Sequence, residues 1–177
     1  MVKYLSPRGY PYRFADLAAF QQFSKDLLEG VRKAGLPTDD VRVQGSSLRK
    51  TGANDVDLAV FVDEAAFDKL LIDRYHERIV IKENGTKVSL KGKSHAELLQ
   101  LANDIGANPG KYNAQGGTFQ NAMKNSIISS KSDIVRPLKD VAAAIAGKYP
   151  HLNIEAISVL IKGGRFDLKP DLPVKSN

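Results

Sequence analysis

Two aspartates, Asp55 and Asp57, stand in the run Asp55-Val56-Asp57-Leu58-Ala59-Val60, and the turn Gly45-Ser46-Ser47 lies a short loop upstream. Strand side chains alternate faces, so both carboxylates point one way with Cα atoms about 6.6 Å apart. Val56, Leu58, Val60 and Val62 fill the opposite face. Like charges on one face repel, and Asp is depleted in strands, so something must compensate. Magnesium does so, taking oxygen ligands at about 2.0–2.1 Å, commonly one or two carboxylates plus substrate phosphates. Two such ions about 3.5–4 Å apart clamp an in-line phosphoryl or nucleotidyl displacement. Gly45 permits close backbone approach, while exposed N–H groups and the Ser46 and Ser47 hydroxyls can cradle phosphate oxygens. Arg49 and Lys50 bring positive charge to the same loop. This is not the nucleotide-binding phosphate loop, because Lys50-Thr51 precedes Gly52 instead of following it. Asp-x-Asp alone fits a solvated strand end better than a site; the Gly-Ser turn after a strand is what reverses that balance.

The elements that must position these residues follow from periodicity. Leu17, Phe20, Phe23, Leu27 and Val31 recur at helical spacing over 15–34, and Gly35 and Pro37 stop that helix. Val41–Gln44 alternates as a half-buried strand, 45–54 is a polar loop, and Asp55–Val62 is a second strand before a helix over 64–74. Strands over 78–82 and 86–90 flank Asn84-Gly85, a strong hairpin signal. Ser94 and Glu97 form a capping box that opens a helix through Ile105. A Gly- and Asn-rich loop is expected over 107–117, then helices over 118–130 and 136–147. Residues 153–162 are strand-like, Gly163-Gly164 turns, and 165–169 is a candidate return strand. The expected architecture is α+β, a single domain with a mixed sheet of about five strands and packed helices.

Composition narrows the chemistry. The chain has 177 residues, 42% hydrophobic and 26% charged, which is ordinary for a soluble domain with a core. No run approaches the roughly 20 apolar residues that cross a bilayer, so no membrane insertion is expected. The start, 1–7, lacks the apolar stretch of a secretory signal. The absence of cysteine excludes disulfides, thiolate metal sites and a Cys nucleophile. His76, His95 and His151 show no ligand spacing, and His95 within the capping box reads as a surface residue; the expected metal is hard and oxygen-ligated rather than zinc. Ser129, Ser130 and Ser132 form no nucleophile elbow and read as helix termini. A net charge of +6 favours a phosphate-rich partner. Tyr4, Tyr10, Tyr12 and Phe14 either stack on bases or pack the N-terminal arm on the core, the second being the better fit. Lys82, Lys87, Lys91 and Lys93 form either a track for an RNA backbone or a guard against edge pairing.

A strand ending in Gly-Ser, a loop, and Asp-x-Asp in the next strand resembles the nucleotidyltransferase superfamily of the DNA polymerase β type. The resemblance implies that Gly45 and Ser46 hold an incoming nucleoside triphosphate and that Asp55 and Asp57 bind catalytic magnesium. The connecting loop is about two residues shorter here than in common members. Ile157-Ser158-Val159-Leu160-Ile161-Lys162-Gly163-Gly164-Arg165-Phe166-Asp167, with Pro170 and Pro173, is similar to the closing segment of one branch: nucleotidyltransferase-fold domains at the C-termini of bacterial polymorphic and contact-dependent inhibition toxins. That branch carries a third carboxylate just before the Ile-Ser pair. Here the position is Ala156, which leaves Glu155, on the opposite strand face unless a bulge re-aims it, and Asp167 as candidates. The implied activity is magnesium-dependent transfer of a nucleoside monophosphate from an NTP to a hydroxyl acceptor; charge favours tRNA or another RNA over a small molecule, and a protein hydroxyl is the other acceptor left open. The resemblance further implies a domain delivered as part of a larger effector, acting in a recipient bacterium's cytoplasm and blocked by a cognate immunity protein. A metal-dependent nuclease and a catalytically inactive nucleotide- or RNA-binding fold are the alternatives.

Overall fold

The computed structural model describes residues 8–169 and 171–175, with only the backbone of Asp133. Tyr4 of the aromatic arm, the 1–7 start and Pro170 lie outside the described residues. Helix α1 (Leu17–Lys33) forms where the periodicity places it, and its N-cap Asp16 accepts the Ala19 N–H at 2.7 Å. Next come β1 (Val41–Gln44), a 3₁₀ turn (Ser46–Leu48), β2 (Asp57–Val62) and α2 (Glu64–Tyr75). The hairpin β3 (Val80–Ile81) and β4 (Thr86–Lys87) precedes α3 (His95–Ala107), α4 (Ala114–Asn125) and β5 (Ile127–Ser129). Helix α5 (Arg136–Lys148), β6 (Ile157–Ile161) and β7 (Leu172–Pro173) complete the chain.

The main sheet has the order β5-β6-β2-β1-β7, with β2 and β6 parallel and the other pairs antiparallel. A parallel pair requires a long crossover, and everything from α2 to α5 lies within it. The two sheet faces differ. On one, Val43, Leu58, Val60, Ile157 and Val159 join Phe23 and Leu27 of α1, Phe67 and Leu71 of α2 and Leu138 of α5 in the principal core. On the other, Ala59, Phe61 and Leu160 form a small cluster with Ile127 and Phe166 against it. Strand alternation puts Asp57 on this thinner side, in phase with Ala59 and Phe61.

The fold is therefore the expected α+β arrangement of helices on a mixed five-stranded sheet. Local boundaries differ in several places. Asp55–Val62 is expected as one strand, but β2 begins at Asp57, so Asp55 lies in the loop before it instead of on a shared strand face, and β6 begins at Ile157 rather than 153. The glycine-rich stretch expected as loop begins α4 at Ala114, capped by the Asn113 side chain, which accepts from Gly116 N–H. Gly116 suits a helix pressed close to its neighbours: a Cβ there would sit 3.0 Å from Cβ of Tyr112. The helix expected to 130 stops at Ser126, in the left-handed conformation (φ 53°), and β5 follows. Residues 165–169 turn instead of returning as a strand, and the edge strand is β7, beside β1.

Candidate active-site cleft

Gln44, the last residue of β1, stands opposite Asp57, the first of β2. The next residue, Gly45, has φ 86° and ψ −160°, a region essentially reserved for glycine. A Cβ on it would lie 2.1 Å from Asp57 Oδ2. Absence of a side chain thus makes room for the carboxylate, and the chain can turn beside it. The turn is held from beneath by buried Leu48 and by Tyr12, whose N–H donates to the Ser47 carbonyl at 2.9 Å. The Arg13 guanidinium donates to the carbonyls of Ala53 and His151. Phe14 packs against Phe20 and Phe23 with ring centroids 5.1 and 5.0 Å apart. The described part of the aromatic arm is a brace for the site loop.

The thinner sheet face carries a cleft of about 300 Å³. Gly45, Asp55, Asp57 and Glu155 line its polar side. Ala59, Ile127 and Leu160 line the apolar side, with Phe166 and Leu168. Strand parity counted back from Ile157 would aim Glu155 into the core, but β6 begins only at Ile157. Ser130 fixes that start, donating its N–H to the Ile157 carbonyl and accepting the Ile157 N–H at its hydroxyl, both at 2.9 Å. Ser129 ends β5 and also lines the cleft; neither serine is a helix terminus. Upstream, Asn153 turns the chain at φ 52° and donates from Nδ2 to the Asn54 carbonyl at 3.1 Å, tying the Glu155 segment to the Asp55 loop.

Among the described residues no donor or cation pairs with the Asp57 carboxylate. Solvent reaches it, yet crowding by the cleft walls, then the charges of Asp55 and Glu155, raise its pKa above the usual 3.8. Glu155 is pulled the other way by its hydrogen bond and ion pair with Lys131, at 2.7 Å. Lys131 is the one cation lining the cleft among the described residues. Three hard carboxylates and a glycine turn on one cleft are a donor set suited to magnesium and phosphate. The charges of Asp55 and Glu155 bear on Asp57, and a divalent cation would offset them.

The remaining expected site residues lie elsewhere. Ser47 is fully buried and its hydroxyl has no hydrogen-bond partner, so it is not on the cleft surface. Ser46 caps the turn through its carbonyl, which accepts from the N–H groups of Arg49 and Lys50 at 2.9 and 3.1 Å. Arg49 and Lys50 are exposed and do not line the cleft. Asp167 accepts the Gly163 N–H at 2.9 Å and pairs with Arg42 at 2.9 Å. Arg42 also binds Asp40 and Asp171 and stacks on Phe61, 4.0 Å from the ring centroid. Asp167 therefore belongs to the anchorage of the segment that presents Phe166 and Leu168 to the cleft. The hairpin lysines do not line the cleft either.

No family model, curated protein or solved structure matches the chain. No helix among the described residues is long and apolar enough to cross a membrane. Among those residues one His/Asp/Glu group, Glu64, Asp68 and His95, has ligand atoms all within 4.8 Å of one another and can hold a metal ion. Asp55, Asp57 and Glu155 are not drawn together to that degree. Sequence spacing hid the first group because its members sit on two different helices, and His95 is half-buried against Asp68 rather than a free surface residue.

Proposed function

We propose that the chain is a nucleotidyltransferase that moves a nucleoside monophosphate from a nucleoside triphosphate to a hydroxyl acceptor. The supporting observation is the convergence of Gly45, Asp55, Asp57 and Glu155 on one cleft over the open sheet face. In that reaction the acceptor hydroxyl oxygen attacks the α-phosphorus, the bond to the β-phosphate oxygen breaks, and pyrophosphate leaves. Magnesium held by Asp55 and Asp57 would neutralise the phosphate charge and polarise the reacting phosphoryl group. Glu155 lines the same cleft, paired with Lys131, and in this reading would take the acceptor's proton. The apolar patch of Ile127, Leu160 and Phe166 offers a surface for the base. Gly45 brings backbone close to the triphosphate, and Lys131 supplies a cation on the cleft wall.

A net charge of +6 favours an RNA acceptor such as tRNA. The resemblance of the Gly-Ser, Asp-x-Asp and closing segments supports the further reading of a toxin domain. It would be delivered by a larger effector into another bacterium's cytoplasm and neutralised by an immunity protein.

The test is incubation with each α-³²P-labelled NTP, Mg²⁺ and total bacterial RNA, comparing wild type with Asp55→Ala/Asp57→Ala. Label entering tRNA-sized RNA with wild type alone is the expected result. RNA shortening without NTP would replace transferase by nuclease. Tight nucleotide binding with no transfer to RNA or protein would leave a binding fold.

A further inference from the structure

His95 opens α3 and lies between two carboxylates of α2. Its Nδ1 is 2.8 Å from Asp68 Oδ1, and its Nε2 is 3.6 Å from Glu64 Oε2. Glu64 and Asp68 are one helical turn apart and share a face of α2. Their surroundings differ: the side-chain exposures are 12% for Asp68, 20% for His95 and 60% for Glu64. The group therefore runs from a covered carboxylate, through a half-covered ring, to a carboxylate in solvent.

The two ring contacts are not equivalent. At 2.8 Å the Asp68 contact is a hydrogen bond, and an Nδ1–H donated to Asp68 leaves the Nε2 lone pair directed toward Glu64. A carboxylate behind one ring nitrogen, fixing the tautomer and raising the basicity of the other, is the usual support of a metal-binding imidazole. The Nε2–Glu64 separation of 3.6 Å is too long for a hydrogen bond. It does match two ligands of one ion: bonds of about 2.0–2.2 Å at a tetrahedral angle put ligand atoms about 3.3–3.6 Å apart. An ion fits between them with little movement, and Glu64, in solvent, is free to adjust.

We infer that His95 Nε2 and Glu64 bind a divalent transition cation of the zinc class, with Asp68 as the positioning residue behind the ring and water completing the shell. The imidazole selects zinc, nickel, cobalt or copper over magnesium and calcium. The site is therefore chemically distinct from the carboxylate cleft and does not depend on the nucleotidyltransferase reading. It would fasten the start of α3 to α2. Both helices direct their positive N-terminal ends here, which opposes a cation. With only two protein ligands as well, binding should be weaker than at a four-ligand structural site.

The experiment is calorimetric titration of the full chain with zinc, repeated with cobalt to read its visible absorption. One His95-dependent ion per chain is expected. His95→Gln should abolish binding, Glu64→Gln should weaken it at least about tenfold, and Asp68→Asn should weaken it about 10–100-fold. Asp55→Asn/Asp57→Asn and His151→Gln should leave it unchanged. Glu64 is exposed, so its variant tests the site without disturbing the core. Absence of binding by wild type at about 1 mM zinc, or binding that survives His95→Gln or follows Asp55 and Asp57 instead, overturns the proposal.

Discussion

Gly45 and Asp57 occupy one another's space: the position a Cβ would take on Gly45 is 2.1 Å from Asp57 Oδ2. The glycine follows the last residue of β1 and the aspartate begins β2, so the antiparallel register that pairs Gln44 with Asp57 also brings the turn against the carboxylate. Backbone geometry and site chemistry make the same demand at this residue.

Gly45→Ala should therefore cost more than an ordinary turn substitution. Holding a non-glycine residue at φ 86°, ψ −160° costs about 1–3 kcal/mol, and the new methyl group must also push Asp57 aside. The expected outcome is a lower unfolding midpoint in urea together with loss of nucleotide binding. A variant with wild-type stability and binding would show that the turn has room to spare.

Asp57→Asn should raise stability while removing activity. Burial and the charges of Asp55 and Glu155 raise the Asp57 pKa in the folded chain above 3.8, the value it has unfolded. Below 3.8 both states are protonated and the charge costs nothing. As pH rises through the folded pKa, the folded state must accept a charge it disfavours, and stability is lost. The gain from Asp57→Asn is thus full at neutral pH and vanishes as pH falls toward 3.8. Solvent screens the open side, so the rise in Tm at pH 7 should be no more than about 2–4 °C. Thermal melts of both proteins across pH 3–7 check the sign.

Much of this was readable in the chain because the signals are local. Phe20, Phe23, Leu27 and Val31 announce one face of α1, and Val41–Gln44 and Leu58–Val62 announce the central strands. What sequence could not show depends on tertiary context. Ile127–Ser129 is too short to carry a period and follows a helix directly. Gly116 and Gly117 read as loop, although both lie in α4, where Gly116 packs closely against Tyr112. Glu155 escapes strand parity because it precedes the strand, and His95 meets its carboxylates only when α3 packs on α2. Ser47 follows Ser46 in sequence, yet the 3₁₀ turn sends it inward.

The inward-facing Ser47 hydroxyl can be tested directly. A buried hydroxyl without a partner costs about 1–3 kcal/mol, so Ser47→Ala should stabilise the chain or leave it unchanged, with nucleotide affinity untouched. Denaturant unfolding and a nucleotide titration read the two effects separately. A loss of affinity at unchanged stability would return Ser47 to the phosphate-binding set.

By sequence Glu155 and Asp167 are equal candidates, and the structure sets them in different surroundings. Glu155 lines the cleft close enough to raise the Asp57 pKa, with Lys131 as its only ion-pair partner among the described residues. Asp167 is committed to Gly163 N–H and to Arg42, whose guanidinium also holds Asp40 and Asp171. Glu155→Gln should thus lower kcat by about 10²–10⁴-fold, the scale of a lost general base, with nucleotide affinity retained. Asp167→Asn should leave kcat within a few-fold and act through stability. Arg42→Ala should be more severe, at about 2–4 kcal/mol, because it leaves three partly covered carboxylates without their shared cation. If Asp167→Asn abolished turnover in a folded chain while Glu155→Gln did not, the Gly163–Asp171 segment would have to swing into the cleft during the reaction, and the third carboxylate would be Asp167.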